Sequence, residues 1–117
     1  MMAARIGDED FERLVSEALD SVPERLMAML DNVVVLVEAE APPDDPHLLG
    51  LYEGVPLTER GHDYVALPDT ITLFRLPILR ACVTDADIVR EVRTTVVHEI
   101  AHHFGIDDER LGELGWA

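Results

Sequence analysis

Apolar and polar positions along this chain follow two periods, and the switches between them mark out its elements. From Thr84 to Phe104 the period is helical. With residues about 100° apart around an axis, Ile88, Val92, Val96, Val89, Ile100, Phe104 and Val97 fill one arc of roughly 180°. Thr84, with an acid three residues on at Asp87, has the form of a capping box, so a helix of about six turns is predicted to start there. Phe11, Leu14, Val15, Ala18 and Leu19 repeat at the same spacing after the acidic start Asp8-Glu9-Asp10 and predict a docking helix. Ser21, Pro23 and Glu24 predict a second, short helix through Leu30, with Met27 and Met29 as packing.

The strands read differently. Asn32 to Glu38 is an apolar, β-branched run and predicts a central strand. Leu48 to Tyr52 predicts another, entered from the Pro-rich loop 41–47 and left by a turn around Glu53 to Pro56. Asp69 to Arg75 alternates between Pro68 and Pro77, which predicts a strand near a sheet edge, where a bound peptide could be added by backbone pairing.

Chemistry concentrates on the long helix. On the same wheel His98 and His102 fall at about 280° and 320° and Glu99 at about 20°, on the border between the buried arc and solvent. Two imidazoles four residues apart lie one above the other and can grip one ion, and the glutamate beside them can serve as a base. A hydrolytic zinc site takes a third protein ligand and keeps a position for water. Gly105 can adopt the left-handed conformation that ends a helix and turns the chain back, with Ile106 packing on the last turn. That reversal makes Asp108 the first choice for third ligand and Asp107 its competitor; both also suit the N-cap and first turn of a short final helix, Glu109 to Leu114. His103 falls inside the apolar arc and is expected to face the core, bonded to a backbone carbonyl. His47 and His62 are read as solvated loop residues, and Cys82 as core filling.

The string His98-Glu99-x-x-His102-x-x-Gly105-x-x-Asp108 resembles the zincin metallopeptidase motif at the metzincin spacing, with Asp in place of the usual third His. The stretch from Pro68 to Trp116 is similar, more narrowly, to the minimal bacterial zincin-like metallopeptidases, which carry this Asp-ended motif near the C-terminus. The resemblance implies an α+β fold in which a small mixed sheet packs against the active-site helix. It implies Zn²⁺ held by His98, His102 and Asp108, with Glu99 as general base in peptide-bond hydrolysis. Metzincins also carry a methionine turn downstream of the third ligand. Here nine residues follow Asp108 and the four Met are at 1, 2, 27 and 29, so that wall of the cleft is expected to be missing. Its lack favours a rival reading, a zinc-binding or metal-free interaction module without peptidase activity. Glu99, which neither ligand geometry nor helix formation requires, favours the enzyme.

Composition narrows the partners. At 117 residues and 48% apolar the chain is expected to form one domain over residues 1–117. Net charge is −15, and all nine basic residues are Arg. Such a surface repels phosphate backbones and anionic lipid, which leaves a peptide or protein substrate and argues against nucleic acid and membrane. No run approaches the roughly twenty apolar residues of a membrane span, and the N-terminus turns acidic before a signal-peptide core could form, so a cytoplasmic protein is expected. A lone cysteine permits no internal disulfide.

Overall fold

A computed structural model describes residues 7–29, 32–54 and 68–116. His62 and part of the turn expected at 53–56 lie outside them. The fold is α+β: the described residues form three strands and five helices. Strands β1 (Val33–Glu38), β2 (Gly50–Glu53) and β3 (Asp69–Phe74) make a sheet in the order β1-β3-β2. β1 runs parallel to β3, Val33 opposite Asp69, and β2 runs antiparallel to it, Gly50 opposite Leu73.

Among the described residues, the strand expected at the centre is an edge, and the strand expected near an edge is the centre. β1 alternates half-buried and exposed, leaving Val34 40% and Leu36 43% accessible, whereas Ile71 to Phe74 of β3 are buried throughout. β-Branched density reports fitness for a pleated surface, not position in the sheet. Thr72 looks like a solvent-facing position and is in fact buried in the middle strand. Pro77 is no strand boundary either. It lies in the first turn of a helix that directly follows β3, where its missing N–H has no intrahelical role to lose.

The helices are α1 (Asp8–Asp20), α2 (Glu24–Met27), α3 (Arg75–Arg80), α4 (Asp85–His103) and α5 (Asp108–Leu114). α1 buries Phe11, Leu14, Val15 and Ala18 and packs on α4. α2 is a single turn that ends at Met27, short of Leu30, with Leu26 fully buried. α4 begins in the expected capping box: Asp87 N donates to Thr84 Oγ1 at 3.1 Å, and Thr84 N donates to Asp87 Oδ2 at 3.1 Å. With Val83 N also donating to it, the Asp87 carboxyl is held below the usual carboxylate range. Ile88, Val92, Val96, Val97 and Ile100 are buried as the wheel requires. The last turn departs from it. Phe104 is 41% exposed and His103 is exposed rather than core-facing, its ring stacked on Tyr52 at 4.0 Å between centroids. The core side of α4 is covered only as far as Ala101, so the arc outruns the core it was drawn for.

Two local features lead to expected results. A Cβ added to Gly50 would lie 2.6 Å from Thr95 Cγ2, on a buried, β-branched and therefore stiff side chain of α4. Gly50→Ala is thus expected to cost about 1–3 kcal/mol of stability by prising β2 off α4. A melting temperature equal to wild type would contradict that close approach. Cys82 is 2% exposed, and burial first, with the Glu91 and Asp87 charges, pushes its thiol up to about 11. The fold favours the neutral thiol, so this contribution to stability is complete below the unfolded value of 9.0 and is lost as pH rises toward 11. At pH 8 native protein should consume no thiol reagent until denaturant is added. Rapid labelling without denaturant would show the thiol to be accessible.

Among the described residues no helix is long and apolar enough to cross a membrane.

Candidate metal centre

Gly105, at φ 75, closes α4 in the left-handed conformation. Ile106 N donates to Ala101 O at 2.8 Å and Gly105 N to His102 O at 3.1 Å, the paired bonds of a Schellman end, and Ile106 packs against the core. The reversal returns the chain beside the histidines and separates the two aspartates. Asp107 caps α5, its Oδ1 accepting from Arg110 N at 2.8 Å. Asp108, one residue on, brings Oδ1 to 3.4 Å from His102 Nε2. The two acids thus differ in their partners: Asp107 serves the helix, and Asp108 faces the imidazole.

His98 and His102 stand one above the other on α4, their rings 5.9 Å apart and 24° from parallel. His98 is half-buried, whereas the side chains of His102 and Asp108 are 54% and 75% exposed. Two neutral imidazoles and a carboxylate are the donor set of a hydrolytic zinc site. Donors about 2.0–2.1 Å from a tetrahedral ion lie about 3.4 Å apart, and the spacing of His102 and Asp108 matches that edge. The His98 ring does not yet converge on the same point. As placed, no group of three His, Cys, Asp or Glu among the described residues is close enough to hold an ion. The helix keeps the two histidine Cβ atoms about 5–6 Å apart, within reach of one ion. The donors therefore fit zinc by chemistry and backbone spacing.

Glu99 lines a cleft of about 390 Å³ between α4 and the segment from Asp45 to Gly50 that leads into β2. Its Oε1 accepts from Tyr52 N of β2 at 2.9 Å, which ties the glutamate to the sheet. Tyr52 is itself anchored, its hydroxyl donating to Asp69 Oδ2 at 2.8 Å and its ring lying on His103. The aromatic and the histidine next to the site thus fix where β2 crosses the helix. His47, expected to be a solvated loop residue, is exposed but lines the same cleft as His98, Glu99 and His102. No local pattern marks it. Only its position just before β2, which crosses α4, brings it there.

A family model described as a zincin-like metallopeptidase matches residues 30–116. The chain belongs to the zincin-like metallopeptidase family. Its fold is similar to the solved structure of a conserved hypothetical protein from Thermo thermophilus, at 30% identity and a TM-score of 0.56. That match covers 84% of this chain and 94% of the other. No curated protein matches the chain. Zincin-like family membership agrees with the fold class read from the motif.

Proposed function

We propose that this zincin-like protein is a zinc-dependent peptidase whose ion is held by His98, His102 and Asp108. The observation that carries the reading is the 3.4 Å approach of Asp108 Oδ1 to His102 Nε2, on the helix that also presents Glu99 to a cleft. Bound zinc supplies Lewis-acid polarisation of the carbonyl and lowers the pKa of water at the site. The remaining work is done by side chains. With Oε1 fixed by the Tyr52 N–H, Glu99 has Oε2 to accept a proton from water as the water oxygen bonds to the carbonyl carbon. Glu99 then gives that proton to the leaving nitrogen as the C–N bond breaks. The imidazoles and Asp108 orient, and β2 holds the base in register with them.

A second reading, a zincin-like interaction module without turnover, is favoured by one observation: the proposed ligands His98, His102 and Asp108 are not gathered as placed. Digestion of a defined peptide library by zinc-supplemented protein, with products mapped by mass spectrometry, separates the two. The peptidase reading expects internal cleavages that a chelator abolishes and zinc restores. Zinc-loaded protein that cuts nothing would leave the module.

A further inference from the structure

One edge of the sheet is built to pair again. β1 meets β3 on one side, and among the described residues no strand lies on its other side. Asp69 N donates to Asn32 O at 2.9 Å, which fixes how the backbone of β1 is turned. In a parallel ladder successive residues point their N–H and C=O groups alternately toward and away from the neighbouring strand, so Asn32, Val34 and Leu36 face β3 and Val33, Val35 and Val37 face outward. The side chains alternate as well. Val33, Val35 and Val37 pack on the core, whereas Val34 and Leu36 stand 40% and 43% exposed on the opposite face of the sheet. Sheet edges are ordinarily guarded by a lysine, a proline, a bulge or an inward charge. From Val33 to Val37 β1 has none of these, and its register with β3 is unbroken. Nor does α1 close over it: a groove of about 480 Å³ separates them, lined by Val15 and Leu19 of α1, by Val35 and Leu36 of β1, and by Glu12 and Glu38.

We propose that two copies of the chain associate through β1, antiparallel about a twofold axis at Val35, joining their three-stranded sheets into one. A strand can pair with its own copy only in a register where outward backbone groups meet, and the register centred on Val35 does this. It sets Val35 opposite Val35 and Val33 opposite Val37, all of them residues whose backbone faces outward, for about six N–H···O bonds. The same register sets Val34 opposite Leu36 in non-hydrogen-bonded pairs, where side chains approach closest, so the exposed apolar groups of each copy cover those of the other. Glu38 falls opposite Asn32, so no like charges face each other across the two strands. That absence decides the contact, because chains at −15 repel wherever their acids meet. The contact presents the same patch from both sides and closes at two copies. It uses the sheet edge opposite β2, whose Tyr52 meets Glu99, and it is independent of the peptidase reading.

Sedimentation velocity of the full chain, from micromolar to millimolar concentration, should show twice the chain mass, and association should tighten in raised salt as Glu12 and Glu38 are screened. Val34→Glu combined with Leu36→Glu places glutamates opposite each other in both cross-strand pairs and should weaken the dimer by roughly tenfold or more. Val34→Arg combined with Leu36→Glu places opposite charges in the same pairs and should restore it. Both positions are exposed, and melting temperatures check that the fold is kept. Val35→Pro removes an outward N–H and nothing from the ladder with β3, so it too should give monomer. A wild-type chain that stays monomeric would leave this edge to a foreign strand and overturn the proposal. So would a dimer indifferent to the paired glutamates, or one that the Arg and Glu combination fails to restore.

Discussion

Glu99→Gln is expected to keep its zinc, its fold and its cleft and to lose about 10²–10⁴-fold in turnover. The substitution preserves shape and helix propensity, and the amide oxygen can still accept the Tyr52 N–H that now reaches Glu99 Oε1 at 2.9 Å. What disappears is a group able to take a proton from water. The loss should fall on kcat more than on KM if, as proposed, the residue acts on the reacting atoms and not on substrate affinity. Zinc content and melting temperature measured beside turnover guard against a collapsed site. A variant as active as wild type would refute the role of Glu99 while leaving the metal site standing.

His98→Ala and His102→Ala are each expected to abolish stoichiometric zinc binding. Removing one of the three proposed ligands would leave too few donors to hold the ion against water. The two aspartates should separate cleanly. Asp108→Ala should weaken zinc binding with little change in stability, since its carboxylate is exposed and faces His102. Asp107→Ala should cost about 1 kcal/mol of stability through the lost helix cap and leave zinc affinity near wild type. Zinc titration and thermal melting of both variants read the two effects independently. The opposite order would transfer the third-ligand role to Asp107.

The sequence was most legible where the physics is local. The Thr84 and Asp87 box, the buried face of α4 through Ile100 and the left-handed Gly105 are each settled within a few residues, so spacing was enough to find them. The placement of Asp108 beside His102 is local in the same way, since it follows from the reversal at Gly105 and the start of α5. Sheet order was not legible, because it depends on which strand the helices cover. The apolar run of β1 lies at an edge, and Thr72 is buried because both faces of β3 are covered. The last turn of α4 escaped too, since the wheel cannot know where the opposing surface stops, and there His103 stacks on Tyr52 outside the core. The cleft's other wall, with His47 and Asp45, and the Tyr52 N–H that meets Glu99 are long-range. They arise from β2 crossing a helix some forty to fifty residues later in the chain, as the separation of 47 between Tyr52 and Glu99 records.

The most direct test of a zinc peptidase in this corner of the fold is to follow zinc content and peptide hydrolysis in the same sample. Apo protein would be titrated with zinc while cleavage of a library-derived peptide is recorded. Hydrolysis should rise in proportion to occupancy and level off at one zinc per chain. Protein that reaches one zinc per chain and cleaves nothing, or that cleaves equally well after chelation, would contradict the account.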